Sequence, residues 1–479
     1  MATQAVRVIF YTMSHPDDTI AAIATPIGEG GIGIVRISGR NSLTVAGEIF
    51  RPISGVPVHG LPTHTVHYGF ALDPITEEPI DDGVVTVFRR PRSYTGEDSV
   101  EISCHGGIVP LRRVLESALR AGARLAEPGE FTKRAFLNGR LDLAQAEAVL
   151  DIIRARTDEA LRVARRQFEG VLSTRIRMLR ERLLGIMAHI EASVDFPEDV
   201  DEPQSIAETI QDSIFHIAAL LETAGRGKIY REGIQAVIAG GTNVGKSSLL
   251  NALLRESRAI VTPIPGTTRD LIEESINIRG IPVRTIDTAG VRETQDEIER
   301  IGVDRARRTV EEADLVLAVL DVGQGFTSED RQWLSSLADK KFIVVLNKSD
   351  LVRESEAEEL AKQVRAWLEE NIPLDVGVIK TAAPSNEGIV ELEDAIAEKI
   401  LAGGISSDGA MVSNVRHRHA LEEACSSLER ALETAKSEKP PDLVTIDLKA
   451  ALDALGGITG EMVSEDVIDR IFSEFCIGK

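Results

Sequence analysis

The chain has 479 residues, 43% hydrophobic and 4% aromatic, and a net charge of -22, so we expect two to four domains rich in aliphatic helices. The acidic balance excludes non-specific nucleic-acid binding over the whole surface. Three cysteines without paired spacing exclude a disulfide framework or zinc site, and no apolar run reaches the roughly 18 residues of a membrane span, so we predict a cytoplasmic protein.

Residues 1–17 are predicted to be an extension before an α/β domain at residues 18–138. In this domain short β-rich runs alternate with turn signals, and residues 111–121 are predicted to form a helix that ends at Gly122. The predicted strands are residues 32–37, 65–70, 84–88 and 100–103.

Two features of this domain have competing interpretations. Residues 28–33 have the G-x-G-x-x-G spacing, but they precede a strand where a dinucleotide motif would follow one, so we reject that interpretation. His105 is followed by two glycines, and because the sequence shows no second cluster of ligands we expect a strand-end turn and no metal site. Cys104 is predicted to lie in the core.

Apolar residues recur at helical spacing from Leu141 to about Val194, and a further helix is predicted over residues 205–224. We assign residues 139–229 to the first part of a helical domain and residues 403–479, with helices at 413–455 and 464–475, to the second part. Residues 112–182 hold 16 Lys/Arg against 10 Asp/Glu, which suits either a local RNA contact or the solvated face of long helices.

Between the helical parts, residues 230–402 are predicted to form an inserted domain with a doubly wound parallel sheet, because apolar strands alternate with helical segments. The predicted strands are residues 234–239, 283–286, 315–320, 342–346 and 376–379. The predicted fold is therefore multidomain: an N-terminal α/β domain, a discontinuous helical bundle and an inserted P-loop domain.

Residues 240–247 match the phosphate-loop pattern G-x-x-x-x-G-K-S/T, with a predicted strand before them and a helix after them. In such a loop backbone amides surround the phosphates, the lysine supplies positive charge and the serine hydroxyl binds Mg²⁺. The predicted GTP-binding residues of this loop are Asn243, Val244, Gly245, Lys246, Ser247 and Ser248.

Three further motifs close predicted strands, at the edge where doubly wound sheets bind their ligands. Asp287 would lie near the metal, and the Asp350 carboxylate can accept hydrogen bonds from the guanine ring N–H and amine, a donor pair that adenine lacks. A backbone amide of residues 381–383 could meet the guanine carbonyl. The predicted residues are Asp287, Thr288, Ala289, Gly290, Asn347, Lys348, Asp350, Thr381, Ala382 and Ala383.

A turn-rich loop between the first two motifs is predicted to be a switch segment, with Thr268 completing the Mg²⁺ shell. Its residues are Thr262, Pro263, Ile264, Pro265, Gly266, Thr267 and Thr268. Val291 occupies the place where many small GTPases carry a glutamine that orients the attacking water, so another group must position that water.

These motifs resemble the MnmE (TrmE) family of tRNA-modification GTPases, and the match runs from Asp18 to Lys479. Other specific pieces are residues 30–39, 93–98, 128–131, 141–148 and 475–479. The resemblance implies a folate-binding N-terminal domain through which a homodimer forms. It also implies that GTP hydrolysis, with a flavin-dependent MnmG-type partner in a heterotetramer, adds an aminomethyl or carboxymethylaminomethyl group to carbon 5 of the tRNA wobble uridine. The one-carbon unit would come from 5-formyl- or 5,10-methylene-tetrahydrofolate.

The resemblance also implies individual roles. K⁺, held by Asn243, Thr262, Ile264 and Thr267, would replace an arginine finger, and Glu299 would position the water beside Lys246. Folate would bind at Arg36, Glu101, Arg140 and Lys479. Plainer interpretations stay open: Glu299 could be one acid in a charged helix start, and Arg36 and Glu101 could be an ion pair only. Cys476 could be a nucleophile, a proton donor or a packing residue, and we assign it a functional but non-obligate role.

The phosphate loop departs from the family, which usually has Pro at position 242 and Ala at position 244, where this chain has Thr242 and Val244. Neither change removes a backbone donor. The alternative function is a regulatory RNA-binding GTPase of the ribosome-assembly type without modification chemistry, and the folate-type residues favour the modifying enzyme over it.

Overall fold

The computed structural model describes residues 18–195, 206–256, 274–287, 309–401, 409–437 and 442–479. They fall into two compact units. The first unit runs up to Leu150 and takes in Gln167–Ile217 and His419–Lys479, and the second comprises Asp151–Arg166 and Ala218–Arg418. The predicted extension at residues 1–17 lies outside the described residues, and the predicted domain boundaries stay predictions.

A seven-stranded mixed sheet forms the N-terminal part of the first unit, in the order β3-β4-β5-β6-β2-β1-β7. Neighbouring strands are antiparallel except β1 and β7. The strands are β1 (Ile20–Ile23), β2 (Gly33–Ser38), β3 (Phe50–Pro52), β4 (Thr65–Leu72), β5 (Pro79–Phe88), β6 (Ser99–Cys104) and β7 (Arg124–Leu125). The four predicted strands are present, and the short strands β1, β3 and β7 were not predicted.

One face of this sheet carries the core, because alternate side chains of a strand point to the same face. Val35, Ile37, Val85, Val100 and Ile102 are all fully buried in one cluster, which Cys104 joins as predicted. Two helices, α1 (Ser42–Ile49) and α2 (Ile108–Arg120), contribute the other side of that cluster. A third helix, α3 (Glu130–Leu137), follows β7.

The helical stretch predicted from Leu141 consists of three helices, α4 (Leu143–Arg154), α5 (Asp158–Phe168) and α6 (Val171–Asp195). The helical pattern continues to Asp195, close to the predicted end at Val194, and Gly170, whose φ is +82°, separates α5 from α6. Next along the chain come α7 (Ile206–Glu222) and α8 (Ala224–Glu232).

The second unit contains a six-stranded sheet in the order β13-β12-β11-β8-β10-β9. All neighbours are parallel except β9, an unpredicted strand that pairs antiparallel with β10. The strands are β8 (Ile234–Gly240), β9 (Glu274–Ile278), β10 (Ile281–Asp287), β11 (Leu315–Asp321), β12 (Phe342–Asn347) and β13 (Val378–Thr381). Helices α9 (Lys246–Glu256), α10 (Ser328–Ser335), α11 (Glu354–Asn371) and α12 (Ile389–Leu401) accompany them, so the predicted doubly wound P-loop fold is confirmed.

The last helices are α13 (Val415–Lys436), α14 (Asp442–Thr459) and α15 (Glu465–Ser473). The two predicted helical parts meet, since α14 packs along α6. Arg180 on α6 donates to the Leu452 carbonyl at 3.3 Å and pairs with Glu461. The sequence permitted this contact without establishing it.

The segment Asp151–Arg166 belongs to the second unit, although it precedes the inserted domain by many residues. Thr157 donates its hydroxyl to the Gly280 carbonyl at 2.7 Å, at the turn between β9 and β10. Arg231 pairs with Asp151 at 2.8 Å, and Val163 packs against the core of the unit. The start of α5 is therefore part of the packing of the second unit, which contains the phosphate loop and which we call the nucleotide unit.

Candidate functional site

The phosphate loop joins β8 to α9 through backbone conformations that only certain residues adopt easily. Gly240, Asn243 and Gly245 have φ values of +157°, +61° and +95°, and asparagine is among the few non-glycine residues that tolerate the left-handed region. A Cβ at Gly245 would lie 2.3 Å from the Asn347 amide nitrogen. The loop therefore needs glycine where it passes the base-recognition motif.

The charged and polar groups of this loop lie at its end and in the first turn of α9. Lys246 opens α9, and its ammonium donates to the Gly241 carbonyl at 2.7 Å and the Gly240 carbonyl at 3.1 Å. Ser247 and Ser248 are exposed in the first turn of the helix, as is Asn243 in the loop. The N-terminus of a helix with such a loop favours bound phosphate. The exposed hydroxyl of Ser247 is a hard oxygen donor of the kind that suits Mg²⁺.

Val244, the departure from the family pattern, is 5% exposed and packs into the core of the nucleotide unit. Its methyl groups fill the space beside Gly240, where a Cβ would lie 3.2 Å away. Its carbonyl accepts from the Asn347 amide at 2.9 Å. The larger side chain is therefore accommodated in the core without changing the donors of the loop.

Asn347 ties three loops together at the carboxyl ends of the parallel strands. Besides donating to Val244, it accepts from the Thr381 hydroxyl at 3.1 Å, and both Asn347 and Thr381 are buried. The Ala382 amide donates to the Glu387 carbonyl at 2.9 Å, so it is already engaged within this loop.

Lys348 has a partner that the sequence analysis missed. Its ammonium pairs with Asp321 at 2.7 Å, and its φ of +64° turns the chain between β12 and Asp350. Asp321 ends β11, so the signal available in the sequence was an acidic residue closing a fully apolar strand. Asp350 is exposed in the turn that follows, where its carboxylate can accept from a ligand.

Asp287 is the one remaining predicted nucleotide residue that lies within the described ranges. Asp287 ends β10, at the same edge of the sheet as the phosphate loop, since β10 and β8 are parallel neighbours. Other predicted residues lie outside the described residues: Thr262, Pro263, Ile264, Pro265, Gly266, Thr267, Thr268, Thr288, Ala289, Gly290 and Glu299.

A second group of predicted residues converges in the first unit. Arg36 on β2 and Glu101 on β6 are cross-strand partners, and the Arg36 guanidinium donates to the Glu101 carboxylate at 2.8 Å. Arg36 also donates to the Gly478 carbonyl at 3.3 Å, so the C-terminal tail adjoins this pair. Burial lowers the pKa of the Lys479 ammonium, and the charge of Arg36 lowers it further against the opposing effect of Glu101. Three of the four residues predicted for folate thus lie together.

The tail is held by backbone contacts. Ile477 bridges to Pro128, and the Gly129 amide donates to the Cys476 carbonyl at 3.4 Å. Gly478 has a φ of +96°, and a Cβ there would lie 2.3 Å from the Ile23 carbonyl oxygen. Only glycine therefore fits this position, and Cys476 is left exposed beside Lys479.

Arg140, the fourth residue predicted for folate, lies on a neighbouring cleft that also includes Tyr94. The Arg36 guanidinium carbon lies 5.7 Å from the Tyr94 ring centroid and 5.6 Å from that of Phe131. Arg36 therefore contacts the cleft through an aromatic ring, a position that suits cation–π attraction.

His105 lies directly after the end of β6, in the strand-end turn that was predicted. The sequence suggested no further ligand groups near it, but the His105 imidazole hydrogen-bonds the Asp81 carboxylate at 2.8 Å, and Asp82 lies close by. The hydrogen bond with Asp81 raises the pKa of His105. The group forms because β5 and β6 are antiparallel neighbours, which brings the start of β5 beside the end of β6.

Within the described ranges, we found no helix long and apolar enough to cross a membrane.

The fold and the site together define a P-loop GTPase. They combine a glycine-rich loop between a strand and a helix, an Asn-Lys-Ser-Asp motif and a predominantly parallel sheet.

Comparison with known proteins identifies the family. Residues 19–140 match the model of the GTP-binding protein TrmE N-terminus, and residues 143–476 match that of the MnmE helical domain. The tRNA modification GTPase MnmE of Desulforamulus reducens is 48% identical over 97% of this chain and 100% of its own length. That of Geobacillus kaustophilus is 49% identical over 96% and 99%. The chain belongs to the MnmE family of tRNA modification GTPases.

Solved structures also match the chain in part. The G domain of the T. maritima FeoB iron transporter is 26% identical, covers 35% of this chain and 98% of its own, and has a TM-score of 0.25.

Proposed function

We propose that the chain hydrolyses GTP with stimulation by K⁺ and, with a flavin-dependent partner of the MnmG type, modifies carbon 5 of the wobble uridine in tRNA. The group added is aminomethyl or carboxymethylaminomethyl, its one-carbon unit comes from a tetrahydrofolate, and the reaction takes place in the cytoplasm. Family membership supports the tRNA substrate. The observation that supports the folate chemistry is the meeting of Arg36, Glu101 and Lys479, drawn from two strands and the C-terminal tail.

The donor set fits a folate. Glu101 presents a carboxylate that can accept from the amines of a pterin ring, and Lys479 and Arg140 present cations for the carboxylates of the tail. Bound tetrahydrofolate supplies the one-carbon unit. The exposed Cys476 lies beside Lys479, and we assign it a supporting role that the reaction can proceed without.

In the nucleotide site, Lys246 and the amides of the phosphate loop hold the phosphates, Asp350 selects guanine, and Asn347 holds the surrounding loops together. Ser247 and Thr268 would hold Mg²⁺, which neutralises charge on the phosphates. Asn243, Thr262, Ile264 and Thr267 would hold K⁺, which stabilises charge developing on the transferred phosphoryl group. Glu299 would orient the attacking water, a role that Val291 leaves open.

A homodimer formed through the N-terminal sheet completes the proposal. Val66, Tyr68 and Phe70 alternate along β4, so they share one face of the strand, and they are 62%, 47% and 38% exposed. Such a stripe suits association between copies. We expect a heterotetramer of two copies of this chain and two of the flavoprotein.

The decisive experiment is an analysis of wobble nucleosides in tRNA from a strain that lacks this chain. We expect the modified uridine to disappear and to return when the wild-type chain is supplied. An unchanged nucleoside profile would favour the alternative, a regulatory RNA-binding GTPase without modification chemistry.

The role of K⁺ has a separate test. GTP hydrolysis should be faster in K⁺ than in Na⁺ at equal ionic strength, and Asn243→Ala should remove that difference. Asn371→Ala, at the exposed end of α11, serves as the matched control and should retain it. Equal wild-type rates in the two salts would contradict the K⁺ proposal.

A further inference from the structure

A cleft of about 490 Å³ opens on the N-terminal domain beside the Arg36–Glu101 pair. Its walls include the rings of His64, Phe88 and Tyr94 together with Pro91. The volume falls in the range of about 300–1,000 Å³ typical of small-molecule sites, and flat apolar walls are usual in them. The cleft therefore suits a ligand with an aromatic ring.

Contacts within the domain hold the residues of these walls. The His64 and Phe88 rings pack edge to face with centroids 5.3 Å apart. The Tyr94 hydroxyl bonds that of Thr132 at 2.9 Å, and the His64 amide donates to the Val87 carbonyl at 2.7 Å. Since the ring contact and the Tyr94 hydrogen bond restrict these side chains before any ligand arrives, less conformational freedom is lost on binding.

Two arginines, Arg92 and Arg140, line the same cleft. Neither has an ion-pair partner among the residues that the structure describes. The Arg92 amide donates to the Arg89 carbonyl at 2.9 Å, which fixes the turn, and the absence of a side chain at Gly96 lets the chain pass beside Arg140. Two like charges facing one cleft without a counter-ion attract a ligand with more than one negative group.

Tyr94 joins this cleft to the folate residues, because one of its neighbours is the cleft and the other is the Arg36 guanidinium. We propose that the cleft binds the p-aminobenzoyl-γ-glutamyl end of a folate and that Arg92, acting with Arg140, selects folates that carry several γ-linked glutamates. The proposal rests on the proposed folate-dependent function. The ring would lie between the aromatic walls, and each added glutamate would bring one more carboxylate into reach of the arginines.

The cleft is open to solvent at Arg92, which allows folate tails of different lengths to bind. Arg92 is exposed, so a chain of glutamates can leave the cleft past it into solvent. A closed pocket would accept only one length of tail. Arg92 therefore acts as a specificity determinant and takes no part in the modification chemistry.

The test compares 5-formyl-tetrahydrofolate carrying one glutamate with the same compound carrying five, in calorimetric titrations of the full chain. We expect the wild type to bind the pentaglutamate about tenfold more tightly, the size of one charge-assisted contact, and the difference to shrink as salt rises. Arg92→Ala should bind both forms with similar affinity. Arg90→Ala, which removes a neighbouring exposed arginine outside the cleft lining, should keep the preference.

The outcomes separate the two proposals. Equal binding of both folates by the wild type, or a preference retained in Arg92→Ala, overturns the role of the cleft and leaves the folate-dependent function standing. If the wild type binds neither compound, the folate-dependent function fails and this inference fails with it. A tRNA affinity that falls in Arg92→Ala while the pentaglutamate preference persists would reassign the cleft to the phosphates of RNA.

Discussion

Replacing Arg134 with methionine should selectively destabilise the unit that contains the N-terminal sheet. The Arg134 side chain is 2% exposed and donates to Glu130 at 2.9 Å, to Asp18 at 2.5 Å and to Glu97 at 3.3 Å. Removing one partner of a buried ion pair costs about 3–5 kcal/mol. Because Arg124 still bonds Glu130 at 2.7 Å and Asp18 at 2.8 Å, we expect the lower end, about 3 kcal/mol.

The positions of the two tryptophans give this prediction an internal control. Trp333 and Trp367 both belong to the nucleotide unit, so tryptophan fluorescence reports the unfolding of that unit while far-ultraviolet circular dichroism reports both. A loss of about 3 kcal/mol lowers the melting temperature of a unit of this size by about 6–12 °C. We expect that shift in a circular-dichroism transition, with the fluorescence transition unchanged.

Arg112→Met is the matched control, since Arg112 is 63% exposed and its pair with Glu116 spans 3.8 Å. It should change the melting temperature by no more than about 2 °C. The reasoning is refuted if Arg134→Met behaves like this control, or if it shifts the fluorescence transition as much as the circular-dichroism transition.

Three further predictions concern pH, the tail and the guanine site. Burial acts to raise the pKa of Glu130, but hydrogen bonds, first from Arg124 and then from the Glu127 amide and Arg134, lower it below its ordinary value of 4.5. The stability that Glu130 contributes is complete above that pH and is lost as the pH falls below it. The melting curves of the wild type and Arg134→Met should therefore converge in acid, and a constant gap between them would contradict this. Gly478→Ala should weaken 5-formyl-tetrahydrofolate binding about tenfold in calorimetry, because left-handed strain of about 1–2 kcal/mol adds to the close contact with the Ile23 carbonyl. Basal GTP hydrolysis should stay unchanged, and an unaltered folate affinity would count against a role of the C-terminal tail in folate binding. Asn347→Ala should weaken binding of fluorescent GDP at least fivefold, because the buried Val244 carbonyl loses its donor at a cost of about 1–3 kcal/mol. A GDP affinity equal to that of Asn371→Ala would argue against this role of Asn347.

The sequence by itself determined the nucleotide site and the class of fold. The phosphate loop needs glycines and a lysine at fixed spacing because its chemistry is local, and it lies between a strand and a helix that periodicity reveals. The motifs that begin at Asp287, Asn347 and Thr381 could be placed together because parallel strands end at one edge of the sheet. This placement does not depend on the number of residues between the motifs.

Only the tertiary structure decided the contacts between distant segments. Arg36 and Gly478 lie 442 residues apart along the chain, and nothing local to either predicts that they meet; the family resemblance implied a shared site but not the hydrogen bond that forms it. The same holds for Asp321 with Lys348 and for Thr157 with the Gly280 turn. Periodicity specifies which face of an element is buried, whereas the partner of that face depends on how whole elements pack, which is why the cleft beside Tyr94 emerges only in the folded chain.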